Sequence, residues 1–335
     1  MSFIALAMVL MAHEKALYPS SVVGTDFDFI IDGDPDVFEE LVPKGEGTAE
    51  MPDKTDSTKE LRETAFLFEA RFWDNTKISI AIDAAFKTGE EARKEALRYT
   101  PRLGKLPSAL RQGLRRLVVH RGGEDTTAFS DDGLIVVYSD NATKRIGTHD
   151  LEETIFHESV HAVWDKAHQA SEAWRDAQKE DRRFVTDYGR KNPDNEDFAE
   201  SALFAFALIH HPERIPKGEA EKIRHAIPAR IAFVETLLPP GKPLHYVTCQ
   251  LDLTRVGSLS DIVSNALNRG LGQDEGKVRA WLDEAQGRFK DADAFLAAVA
   301  KEFGVEENEL KAQVEAFRHC NCEHGEVGAA VGAAK

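Results

Sequence analysis

The sequence predicts an α+β fold, with a small mixed sheet in the first half of the chain and helices through most of the second. Three observations carry this. Runs that alternate with period two, or are wholly apolar, occur at Lys77 to Ile82, Leu117 to His120 and Leu134 to Tyr138, as in half-buried and fully buried strands. Beyond Thr148 the apolar residues recur with the 3.6-residue period of amphipathic helices. With 335 residues, 42% of them hydrophobic, the chain can fill the cores of about two domains.

Taken in order, the chain starts with a ten-residue apolar run, Phe3 to Ala12. It is far shorter than the roughly 20 residues a bilayer-crossing helix needs. It has the length of a signal-peptide core but no preceding Lys or Arg, so residues 1–17 read as a signal peptide or an N-terminal helix, with export slightly favoured. From Tyr18 to Lys54 the chain is acidic and rich in Gly and Pro, which predicts loops and short strands. Within it, Asp32-x-Asp34-x-Asp36 resembles the start of a calcium loop. Val37 stands where that loop needs Gly and Pro43 where it needs Glu, so an acidic surface loop is expected. The three strand runs follow, with a helix near Gly89 to Arg98 and a turn at Gly122-Gly123. Leu134 to Tyr138 fits either an edge strand that accepts an extended peptide or an interior strand.

The helical half is broken at Asn192-Pro193, Pro212 and Leu238-Pro239-Pro240-Gly241. The last break divides a domain at 18–238 from a helical one at 239–325, with helices such as Val278 to Phe289 and Ala292 to Phe303. Residues 326–335 are small and apolar and read as a disordered tail. Cys249, Cys320 and Cys322 are an odd set that allows at most one internal disulfide. The His319-Cys320-x-Cys322-x-His324 cluster lacks the second pair of a structural zinc site. His210 and His211, before Pro212, suit a helix C-terminus.

Charge narrows the partners. The chain has 42 Lys and Arg against 58 Asp and Glu, a net of -16, which repels nucleic acid and anionic lipid surfaces. The oligomeric state is not legible.

The informative segment is Thr154-Ile-Phe-His157-Glu158-Ser-Val-His161-Ala-Val-Trp164. Histidines at i and i+4 project from one helix face, so both imidazoles can reach one Zn²⁺ while the adjacent Glu158 acts on its water. Asp150 and Glu153 have the spacing of a capping box, and Phe156, Val160, Val163 and Ala167 form the stripe that would be buried. A catalytic zinc needs a third protein ligand. Asn192-Pro193 reads as the cap and first residue of a helix that carries Glu196 and Glu200 on one face. Glu196 as ligand and Glu200 as acceptor for a ligating imidazole would satisfy both carboxylates. Tyr188, in a loop leading into that helix, could donate to an oxyanion or simply pack.

These segments together resemble the lethal-factor-like gluzincin metalloproteases, the group that includes the anthrax toxin protease domain and the Pro-Pro endopeptidases. The resemblance covers roughly 150–215: His157-Glu158-x-x-His161-Ala162-Val163, Tyr188-Gly189-Arg190-x-Asn192, Glu196-x-Phe198-Ala199-Glu200 and a His-rich segment before Pro212. It implies a zincin-like catalytic domain that binds one Zn²⁺ through His157, His161 and Glu196 and hydrolyses a peptide or protein substrate. Glu158 would be the general base, Tyr188 the oxyanion donor and Glu200 the carboxylate behind a ligand. Asp197, through a one-residue shift at Pro193, and Asp187 are rival third ligands. The other reading is an inactive zinc-binding or protein-interaction module on the same fold.

Overall fold

The computed structural model describes residues 15–53, 59–124, 128–181, 183–245 and 260–318, apart from 261, 265, 286–287 and 290. The apolar run at the N-terminus, all three cysteines, His319, His324 and the 326–335 tail lie outside the described residues. The chain divides after Gly241 into two compact units, with the Trp73–Asn75 turn grouped with the second.

The first unit is α+β. Its six strands are β1 (Phe38–Pro52), β2 (Glu60–Phe72), β3 (Lys77–Asp83), β4 (Arg116–His120), β5 (Ala128–Asp131) and β6 (Leu134–Tyr138), in spatial order β1-β2-β3-β4-β6-β5. β3, β4 and β6 are mutually parallel neighbours, and the pairings at both margins are antiparallel, so the sheet is mixed. β6 is buried throughout and β4 nearly so, as parallel strands covered on both faces must be. One expectation is corrected here and one open choice is decided. Residues 38–52 are not loops and short strands but one long strand paired with β2, its register broken between Pro43 and Gly45, where Gly45 has φ +87°. The bulge absorbs the Pro and Gly that disguised it. β6 is interior, and the margin belongs to β5, which the sequence reading missed.

The helices of this unit are α1 (Gly89–Ala96), α2 (Thr100–Lys105), α3 (Ser108–Arg111), α4 (Ser139–Gly147), α5 (Leu151–Trp164), α6 (Glu172–Asp181), α7 (Asp187–Lys191), α8 (Asp197–His210), α9 (Lys217–Ala226) and α10 (Pro228–Leu237). α5 and α8 pack together through Phe156 and Phe206, with ring centroids 4.9 Å apart. Nearer the start of α8, Phe198 meets Trp174 of α6 at 4.7 Å and Phe233 of α10 at 5.8 Å, and stacks on Trp164 of α5 at 6.2 Å. Each such aromatic burial contributes about 1.5–3 kcal/mol and fixes α8 against its neighbours. Beneath them Arg230, fully buried, bridges Asp181 at 3.0 Å and Asp197 at 2.9 Å. In the 28–36 loop Asp34 is not a solvated carboxylate, because it forms a two-armed pair with Arg214.

The second unit contains α11 (Glu275–Ala285), α12 (Ala292–Phe303) and α13 (Glu307–Arg318) around a core that includes Val278, Phe295, Val299 and Leu310. Among the described residues, no helix is long and apolar enough to cross a membrane.

Candidate metal centre

Helix α5 is the platform of the site. Phe156 and Val160 are fully buried, and His157 and His161, one residue further along, emerge at the edge of that face. The expected capping box does not form. The Asp150 carboxylate accepts instead from Arg145 at 3.1 Å and Thr148 Oγ1 at 2.9 Å. Glu153 is drawn inward, where Oε1 accepts the Ile30 N–H at 3.0 Å. The 28–34 loop covers this helix end, and its buried amide needs an acceptor more than the helix terminus does.

The two imidazoles turn toward each other, with Nε2 of His157 and Nε2 of His161 3.1 Å apart. Glu196 Oε2 lies 3.3 Å from each of them. For ligand bonds of ~2.0–2.1 Å, the edge of a tetrahedron around zinc is about 3.3–3.4 Å. The three atoms therefore have the spacing of one face of such a tetrahedron, and their side chains line the groove. This is the His, Cys, Asp and Glu grouping able to hold an ion among the described residues.

The third side of that triangle depends on where α8 begins. Contrary to the reading from sequence, Asn192-Pro193 does not open the helix. The amides of Asn195 and Glu196 fold back onto Asn192 O at 3.1 and 2.8 Å, and the helix proper begins at Asp197. Glu196 thus sits at the cap position with its carboxylate making no capping bond. The rivals are engaged elsewhere. Asp197 accepts from Arg230 and, at 2.8 Å, from Gln178, and Asp187 pairs with Arg190 at 3.1 Å.

A carboxylate backs His161, whereas the one behind His157 stands off. His161 Nδ1 lies 2.6 Å from Asp165 Oδ2. The sequence reading missed Asp165, although its position four residues after His161 was the signal available. It lies where α5 passes into a π-helical turn, Asp165–Gln169, and its N–H reaches back to Val160 O. His157 Nδ1 has no hydrogen-bond partner, and its nearest carboxylate oxygen, Glu200 Oε1, is 3.6 Å away. Glu200 is 1% exposed and accepts the Ser21 N–H at 2.7 Å, Ser21 Oγ at 2.9 Å and Ser20 Oγ at 3.2 Å.

The electrostatics suit a cation. Burial would raise the Glu196 carboxyl, but hydrogen bonds from His157 and His161 outweigh it and hold the group below the usual carboxylate range. Burial works against a charge on His161, yet Asp165 and Glu196 hold that imidazole up, at about 10. Tyr188 is pushed up to about 12, first by burial and then by the Glu196 charge beside it, so its hydroxyl keeps its proton at neutral pH. It belongs to α7, not to a loop. Thr186 caps that helix by accepting Gly189 N–H at 3.0 Å, and the Tyr188 N–H is fixed on Pro19 O at 3.0 Å.

Glu158 faces the sheet margin, where Ser130 Oγ of β5 donates to its Oε2 at 2.7 Å. His157, Glu158, His161, Asp165, Tyr188, Glu196 and Glu200 border one groove of about 1340 Å³, and residues 128–132 of the β5 margin line it as well. Comparison of the chain with family models, with characterised proteins and with solved structures finds no match.

Proposed function

We propose that the protein is a zinc-dependent endopeptidase on a zincin-like fold. The observation that carries this reading is the triangle of His157 Nε2, His161 Nε2 and Glu196 Oε2, with sides of 3.1, 3.3 and 3.3 Å, opening onto the groove that also holds Glu158. Two nitrogens facing each other at that distance, with a carboxylate oxygen equidistant, form a donor set that fits Zn²⁺. Zinc, when bound there, would supply an acidified water and a polarised substrate carbonyl.

The remaining work falls to side chains of this chain. Glu158, steadied by Ser130, takes the proton of the attacking water and passes it to the leaving amine. The Tyr188 hydroxyl, protonated at neutral pH, donates to the oxyanion that develops on the scissile carbonyl. β5 ends the sheet at the groove, and an extended peptide can pair with its outer side and lie across the donor triangle.

Glu158→Gln separates binding from chemistry. It should keep about one zinc per chain by elemental analysis and lower cleavage of a peptide library on the order of 10²–10⁴-fold. Turnover at the parental rate would overturn the mechanism.

A further inference from the structure

The groove has a wall that the hydrolytic chemistry leaves without a task. On its Glu200 side lies the segment Pro19 to Gly24, some 180 residues distant in sequence from the carboxylate that holds it. Ser21 is fully buried, and with Ser20 it gives Glu200 three hydrogen bonds, at 2.7, 2.9 and 3.2 Å. The segment turns back sharply at Gly24. A Cβ there would lie 2.4 Å from Ser20 N and 2.6 Å from Ser20 O, so a side chain would collide with backbone. Polar residues usually face outward in an exposed turn. Here Ser21 faces inward, Ser20 lines the groove while donating to Glu200, and Val22 and Val23 line the groove beside it, with Val23 56% exposed.

We propose that the Val22-Val23 turn is a side-chain subsite that selects an apolar residue of the peptide bound in the groove. The inference rests on the peptidase reading and adds to it a substrate class. A peptide extended along β5 presents side chains alternately to either side, so only some of its positions can reach the Glu200 wall. An aliphatic side chain at such a position covers the valines and removes apolar surface on both partners from water. The preference for Leu over Ser there is about ten-fold or more. The anchor on Glu200 holds the tip still, so selectivity does not depend on ordering a loose loop during binding.

The test uses the full chain, zinc-loaded and carrying Glu158→Gln, with fluorescent peptides in which each position in turn is changed from Leu to Ser. Anisotropy should reveal a position where that change weakens binding about ten-fold. Adding Val23→Asp should abolish this preference and favour Lys at the same position, whereas Val23→Leu should retain the preference at equal zinc content. An identical profile in Val23→Asp and its parent overturns the subsite, and failure to bind any peptide overturns subsite and peptidase together. Cleavage mapping with Glu158 restored separates the two ideas. Binding that depends on Val23 without any cleavage sinks the peptidase reading alone, and cleavage whose pattern ignores Val23 sinks the subsite alone.

Discussion

Asp165 governs the orientation of His161, since its Oδ2 is 2.6 Å from Nδ1 and leaves Nε2 directed at His157 and Glu196. A carboxylate behind a ligating imidazole fixes its tautomer and strengthens it as a donor. Asp165 is itself held by Gln169, whose Nε2 donates to the same oxygen at 3.2 Å. Asp165→Asn keeps the shape and removes the charge. Zinc affinity, measured by competition with a chelating dye, should fall about 10–100-fold with the fold intact by circular dichroism. An unchanged affinity would mean that His161 is oriented by packing alone. His157 has no equivalent bond, so its position rests on helix packing and the nearby Glu200. His157, Glu158 and His161 could be found from spacing because a helix converts i and i+4 into neighbours. Asp165 obeys the same spacing but stands past the point where regular winding ends, and periodicity gives no sign of a π turn. Ser20, Ser21 and Ser130 reach the site from distant segments, and nothing local in the sequence announces them.

The β5–β6 hairpin shows what determines an element's place beside the helix. Asp132 and Gly133 both have positive φ, +35° and +80°, the backbone of a two-residue turn whose twist matches its strands. The Gly133 N–H donates to Ala162 O of α5 at 2.7 Å, and Gly133 O accepts from Arg115 and Arg116 at 2.8 and 3.0 Å. The margin strand is thus pinned to the helix that carries both histidines. A Cβ at Gly133 would lie 2.8 Å from Arg115 Nε and 2.9 Å from Gly113 O, on top of an unfavourable φ. Gly133→Ala should cost about 1–3 kcal/mol and lower Tm by about 2–4 °C per kcal/mol. Displacement of β5 should also reduce peptide cleavage while zinc content stays at the parental level. Loss of zinc in step with stability would show instead that the hairpin props up α5. Asp132-Gly133 is a hairpin signal, but the short polar run Ser130-Asp131 before it gives no strand pattern, so β5 was legible only from its turn. β3, β4, β6 and α1 are readable because hydrophobic pattern and burial agree. β1 is not, since its charged, Gly- and Pro-containing sequence pairs only along a long, mostly exposed margin. The start of α8 was misplaced because Pro193 fits a helix entrance as well as the turn it forms.

Across the whole molecule, buried titratable groups pull stability in opposite directions with pH. Glu153 is 2% exposed, and burial pushes its carboxyl up to about 8, against an Ile30 N–H bond that works the other way. Between the ordinary value of 4.5 and about 8 the folded chain therefore holds a proton that the unfolded chain has released. Where the native state binds more protons, stability falls as pH rises, at ~1.4 kcal/mol per pH unit for one full proton. His210 and His211 act in reverse. Burial holds both below the usual imidazole range, so the fold resists their protonation and loses stability as pH drops through that range. A net charge of -16 adds self-repulsion on the alkaline side. Together these place the stability maximum of the metal-free protein on the acid side of neutrality, with a descending limb toward pH 8. Glu153→Gln keeps an acceptor for Ile30 and has no proton to lose. Urea denaturation with a chelator present should find the variant close to its parent near pH 5 and more stable by about 2–4 kcal/mol at pH 8. Parallel curves over that range would show that Glu153 is ionised in the fold. The alkaline limb would then belong to net charge, which raising the salt concentration flattens, whereas proton release from a buried carboxyl survives added salt.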